Sequence, residues 1–141
     1  MKLFNFVNKY LNKHIDYDKY YGAQCVDVFR QFCRDVLNIP HTGAVEGAKD
    51  IFIHHNSMPI QQKYFNQLKL NEIDSIKYGD VIIWDKTQNN QYGHIAIIIS
   101  ELSDNEVLVI EQNGFNQNGL KLNRRNLDNC LGILRYKGEI H

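Results

Sequence analysis

Apolar residues at Leu3, Phe6, Val7, Tyr10 and Leu11 recur at intervals of three and four, with polar residues between them. That is the spacing of one face of an amphipathic helix, and it predicts a helix over residues 2–13, with His14 continuing the same face. A second pattern of this kind, formed by Val28, Phe29, Phe32, Cys33, Val36 and Leu37, predicts a helix that opens near Cys25 and is stopped by Pro40. Residues 16–22 between the two are polar and aromatic without periodicity. The stretch 41–64 is ambiguous, with a short helix expected across 48–55 and irregular chain around Pro59.

From Gly79 onward the pattern becomes one of short β-branched and aromatic runs, at residues 81–84, 94–100, 107–112 and 131–136. Turn-prone groups separate them: Gln88-Asn89-Asn90, Ser103-Asp104-Asn105, and the Asn/Gly-rich residues 113–119. Helices followed by a cluster of strands imply an α+β domain in which helices pack on an antiparallel sheet. No repeat, linker or low-complexity tract divides residues 1–141, so a single domain is expected.

Composition narrows the function. The chain has 141 residues with 16 Lys and Arg against 16 Asp and Glu, a net charge of zero. It therefore lacks the domain-wide positive field of a nucleic-acid binder, and no nucleic-acid partner is expected. No run approaches the roughly 18 apolar residues of a membrane span. The N-terminal apolar positions are interrupted by Asn5, Asn8 and Lys9, unlike a secretory signal, so neither membrane insertion nor a cleaved leader is expected. Three cysteines, Cys25, Cys33 and Cys130, leave at least one thiol unpaired within the monomer.

Cys25 falls where a loop becomes a helix. Unpaired N–H groups and the helix dipole there favour the nucleophilic thiolate, and the Gln24 amide beside it can donate to a developing oxyanion. The plainer alternative is a buried, inert thiol. The candidate base is His94, which follows Gly93 and opens an apolar strand, a position at the rim of a sheet. His14, His41, His54, His55 and His141 read as ordinary surface or half-buried histidines. Strand alternation places Val107, Val109, Glu111 and Asn113 on one face, and hairpin pairing with the preceding strand brings Glu111 and Asn113 toward His94.

Other residues remain open between roles. Trp84 either lines a substrate groove or packs at the rim of the core. Cys33 reads as packed on the second helix, and its pairing with Cys130 is undetermined. The cysteines and histidines lack the close paired spacing of a zinc site. Lys121, Arg124, Arg125, Arg135 and Lys137 make the last quarter basic, suited either to an anionic surface or to a solvated strand edge.

The run from Asp16 through Gln24-Cys25 to Asp27, then Gly79-Asp80-Val81-Ile82-Ile83-Trp84, Tyr92-Gly93-His94-Ile95-Ala96-Ile97 and Ile110-Glu111-Gln112-Asn113, resembles the CHAP family of cysteine, histidine-dependent amidohydrolases/peptidases. The likeness is greatest to the peptidoglycan-cutting domains of bacteriophage endolysins. It implies a papain-like fold similar to that of NlpC/P60 enzymes, with Cys25 as nucleophile, His94 as general base, Glu111 orienting the imidazole and Asn113 assisting. The implied substrate is an amide bond of bacterial peptidoglycan, reached at the host cell wall by a monomer or by a domain that another virion or wall-binding chain carries. A non-catalytic wall-binding or virion module of the same fold is the alternative.

Asp16, Asp18 and Asp27 crowd the nucleophile, and nearby negative charge disfavours a thiolate. A bound cation removes that conflict, and closely spaced carboxylates and carbonyls are hard oxygen ligands suited to calcium. The resemblance implies such a loop, with the carbonyls of Tyr20 and Gly22 as further ligands. A solvated acidic loop is the alternative, and no organic cofactor is expected.

Overall fold

A computed structural model describes residues 1–18, 24–112 and 119–141. Four α-helices come first: α1 (Leu3–Tyr10), α2 (Cys25–Phe32), α3 (Ala48–Ile53) and α4 (Pro59–Tyr64). Six strands follow: β1 (Phe65–Lys69), β2 (Val81–Trp84), β3 (His94–Ser103), β4 (Glu106–Glu111), β5 (Lys121–Asn126) and β6 (Cys130–Tyr136). They form one antiparallel sheet in the order β1-β6-β2-β3-β4-β5. The molecule is thus an α+β domain of the expected layout.

Period-two alternation sorts the strands into two apolar faces. Val81, Ile83, Ile95, Ile97, Ile110 and Leu134 pack against Phe6, Phe29, Phe32 and Ile51 of the helices. Ile82, Trp84, Ala96, Ile98, Val107, Val109 and Ile133 form a second cluster on the other face. Fully burying one such side chain is worth about 1.5–3 kcal/mol. His94 has the parity of Ala96 and Ile98, and Glu111 that of Val107 and Val109, so both emerge on the second face near its rim.

Several boundaries differ from the sequence expectation. Helix α1 ends at Tyr10 instead of Lys13, because Leu11 leaves the helix to bridge Leu120 and Asn12 takes the left-handed conformation at φ 65°. His14 consequently lies outside any helix. Helix α2 continues as a π-helical turn over Cys33–Leu37 and stops at left-handed Asn38 (φ 54°), two residues before Pro40. The chain around Pro59 is helical, since a proline at the first helical position lacks only an N–H that the helix leaves unpaired anyway.

Strands β1 and β5 were not expected from the apolar pattern. Both are edges, and β5 alternates half-buried and exposed residues whose single large apolar side chain, Leu122, points outward. Its register with β4, Glu111 against Lys121 and Val107 against Arg125, is what places polar side chains beside the strand that carries Glu111. The basic last quarter is largely neutralised within the fold. Arg124 pairs with Glu106, Arg125 with Glu111 and Arg135 with Asp80. No helix among the described residues is long and apolar enough to cross a membrane.

Candidate active site

Cys25 is the first residue of α2, and Gln24 before it is extended (φ −130°, ψ 170°). The Gln24 N–H donates to Asp27 Oδ2 at 2.8 Å, the reciprocal contact of a helix N-terminus closed by an acidic residue three positions on. Half-buried Cys25 therefore sits at the positive end of the helix dipole, with its thiol close enough to His94 to act on the imidazole. Gln24 itself is exposed beside it.

His94 opens β3 opposite Trp84 of β2. The preceding Gly93 has φ +75°, and a Cβ there would lie 2.5 Å from the Trp84 carbonyl oxygen and 2.9 Å from Lys49 Cβ. Only glycine permits both the turn and the approach of α3. The imidazole Nε2 lies 3.0 Å from Glu111 Oε1, which leaves Nδ1 for Cys25. Trp84 packs against the imidazole with ring centroids 5.7 Å apart, and its Nε1 donates to the Asn126 carbonyl at 3.1 Å. Trp84 is only 7% exposed, so its main role is packing, with one edge lining a cleft.

Glu111 is 1% exposed, and its carboxylate is fully engaged. Asn123 Nδ2 donates to Oε2 at 2.9 Å, and Arg125 Nε donates to Oε1, the oxygen that also meets His94. Burial pushes the carboxyl up, but the hydrogen bonds and charges of His94, Arg125 and Asn123 outweigh it and hold the group at about 2. For His94, burial disfavours the cation, yet the contacts with Cys25 and Glu111 prevail and raise the imidazole above its ordinary value. The site thus supports a His94 imidazolium held against the Glu111 carboxylate.

Gln112 faces the opposite way from Glu111 and is fully buried. Its Oε1 accepts from the Ile15 N–H at 2.7 Å, and its Nε2 donates to the carbonyls of Ile15 at 2.7 Å and Gln24 at 3.0 Å. Gln112 and Asn123 had no assigned role from sequence, and Arg125 figured there only as part of the basic last quarter. The signals that point to them are a polar residue closing an apolar strand and the alternation of Lys121, Asn123 and Arg125.

Asp16, Asp18 and Asp27 converge, with one carboxylate oxygen from each lying within 4.8 Å of the others. Asp16 and Asp18 are exposed while Asp27 is buried. Burial raises the Asp27 carboxyl, repulsion from Asp18 and Asp16 adds to this against the backbone N–H bonds from Gln24 and Asp18, and the group reaches about 6. Tyr20, Gly22 and Asn113 lie outside the described residues. A cleft of about 410 Å³ adjoins His94 and Trp84, bordered by Asn90, Asn123 and Arg125.

Cys33 and Cys130 are not paired. Cys33 lies in the helix-side core and Cys130 packs on the opposite sheet face, and burial pushes their thiols up to about 12 and about 11. Only Cys25 is presented to a histidine among the described residues.

Helices on one side of an antiparallel sheet, with a helix-terminal cysteine meeting a strand histidine backed by a buried acid, define a papain-like cysteine–histidine domain. The CHAP domain profile matches residues 15–113, and the chain belongs to that family. A search of curated protein sequences returns no match. Among solved structures, the chain is similar to the wild-type endolysin LysIME-EF1, at 23% identity and TM-score 0.65 over 96% of this chain and 64% of that one. It is also similar to Ly7917, at 15% identity and TM-score 0.62 over 80% of this chain and 53% of the other. A second Ly7917 structure, with the hydrolyzing product of MDP, aligns at 16% identity and TM-score 0.62 over 82% of this chain and 54% of that one. The chain thus spans roughly half to two thirds of the length of these proteins.

Proposed function

We propose that this domain is a peptidoglycan hydrolase that cleaves an amide bond of the stem peptide, the cross-bridge or the sugar-peptide link through a thioester on Cys25. The observation that carries this reading is the continuous contact from Cys25 through His94 to buried Glu111. The Cys25 thiolate attacks the carbonyl carbon, and the oxyanion forms at the N-terminus of α2, where the Cys25 N–H and the Gln24 amide donate. His94 as imidazolium protonates the departing amine, and as the neutral base it then takes a proton from the water that hydrolyses the thioester. Glu111 fixes the ring and stabilises its cation throughout, and Asn113 assists it. The likeness to an endolysin supports a phage lysin or virion-associated lysin acting at the host cell wall.

Asp16, Asp18 and Asp27 fit a calcium ion: they offer a hard, all-oxygen donor set close enough to converge on one cation, and their mutual repulsion is relieved when it binds. The carbonyls of Tyr20 and Gly22 complete the proposed ligand set. Calcium there would fix the chain that leads into α2 and offset negative charge beside Cys25.

Cys25→Ala and His94→Ala should each abolish release of fragments from purified cell walls while circular dichroism stays that of the parent. Wild-type release by Cys25→Ala would overturn the mechanism. Iodoacetamide should alkylate Cys25 well before Cys33 or Cys130, whereas equal, slow labelling of all three would favour a binding module without turnover.

A further inference from the structure

Arg125 stands on edge strand β5, outside the matched stretch 15–113, yet it reaches the centre of the site. Its Nε donates to Glu111 Oε1, the oxygen that meets His94 Nε2. Its guanidinium carbon also lies 5.6 Å from the centroid of Trp84, whose ring packs on the imidazole at 5.7 Å. One side chain therefore touches two of the three groups that enclose His94, the third being Cys25. Asn123, two residues earlier on the same face of β5, holds the other Glu111 oxygen.

We propose that Arg125 is a positioning residue: it clamps the Glu111 carboxylate and the Trp84 indole together around His94, so that the imidazole turns one nitrogen to Glu111 and the other to Cys25. The proposal rests on the catalytic reading above. Asn123 holds only Oε2, so without Arg125 the oxygen that meets His94 has no second partner, and a swing of one ångström there misdirects the nitrogen that faces the nucleophile. The fork geometry of arginine suits this double contact in a way that the point charge of lysine does not. Arg125 also places a fixed positive charge beside the ion pair, so Glu111 is shared between two cations. Among the described residues, the charged and titratable groups that meet His94 are Cys25 from α2 and Glu111 from β4, with Arg125 from β5 behind Glu111; β2 contributes uncharged Trp84, and Lys49 of α3 packs against Gly93.

The test compares Arg125→Gln and Arg125→Lys in the full chain by two readouts. On purified cell walls, kcat for Arg125→Gln should fall by about 10- to 100-fold with KM nearly unchanged, and Arg125→Lys should lose less. In the substrate-free protein, above the His94 midpoint where the ring is neutral, nitrogen NMR of the ring should show one tautomer for the parent and a mixture for Arg125→Gln, with its titration midpoint moved upward because a neighbouring cation is gone. Arg125→Lys keeps the charge, so its midpoint stays at the parent value while the tautomer bias weakens. Parent-like turnover in Arg125→Gln, or loss of turnover with an unchanged His94 spectrum, would overturn the proposal. If Arg125→Gln does not fold, Arg125→Lys decides: a parent-like tautomer bias and turnover then refute the clamp. The NMR arm needs no substrate, so it judges Arg125 even if the parent cleaves no cell wall, an outcome that would instead sink the hydrolase reading.

Discussion

Gln112, at the end of β4, pairs through one amide with both backbone groups of Ile15, 97 residues away in sequence, at 2.7 Å each. The same amide nitrogen reaches the Gln24 carbonyl at 3.0 Å. Gln112 thereby joins three elements of the site: the strand that carries Glu111, the chain entering Asp16, and the residue before Cys25. It also explains how the residue before Cys25 is held so that the cysteine faces a histidine on a distant strand.

Replacing Gln112 with Leu leaves the buried N–H and carbonyl of Ile15 without their partner, while the Gln24 carbonyl keeps the Asp27 N–H. Each orphaned group costs about 1–3 kcal/mol when buried, so the two at Ile15 imply a loss of roughly 2–6 kcal/mol in urea unfolding. Gln112→Glu should cost at least as much, because it keeps the acceptor for the Ile15 N–H but turns a buried carboxylate oxygen toward the carbonyls of Ile15 and Gln24, which can only accept. Turnover should drop in both variants, since Cys25 loses its fixed distance to His94. A Gln112→Leu protein as stable as the parent would refute the stitching role.

Glu111 gives a pH signature. Its folded pKa of about 2 lies below the ordinary 4.5, so the group stabilises the fold fully above its unfolded value, and that contribution is lost as pH falls from about 4.5 toward 2. Glu111→Gln keeps the shape, removes the charge, and leaves Arg125 without its carboxylate. At pH 7 it should be less stable than the parent, and the gap should close as pH falls through this window. Thermal melts of both proteins from pH 7 to pH 2 measure it, and a gap independent of pH would refute the charge argument.

The strands that bear His94 and Glu111 were legible because β3 and β4 combine apolar runs with clean alternation, so their polar ends stand out. Cys25 was legible from the break in helical period before it. Strand β5 was silent, since Lys121, Asn123 and Arg125 bury only against partners that folding supplies, and a polar strand leaves no apolar signature. Gln112 was visible as a residue but not as a link, because its three bonds cross the chain. The short helix at Pro59 was hidden for a local reason: proline reads as a breaker, although it is tolerated at a first helical turn.

Asp27 should show the opposite pH behaviour from Glu111. Burial, with the repulsion of Asp16 and Asp18, raises it from 3.8 to about 6, while Arg30 on the next turn of α2 supplies the opposing charge. A folded pKa above the unfolded one means that the stabilising contribution is complete below about 3.8 and is lost as pH rises through about 6. In EDTA, this group should therefore lower the melting temperature between pH 5 and pH 7. Calcium competes with the proton for the same oxygens, so the stabilisation it confers should be larger at pH 7 than at pH 5. With calcium at 100 times its Kd, about 2.7 kcal/mol is expected. Asp27→Asn should flatten the EDTA profile and lose most of the calcium response, which separates a cation site from a solvated acidic loop. Melts of the parent at pH 7 that are indifferent to millimolar calcium would refute the cation site and leave Asp27 raised by burial and by the repulsion of Asp18 and Asp16 alone.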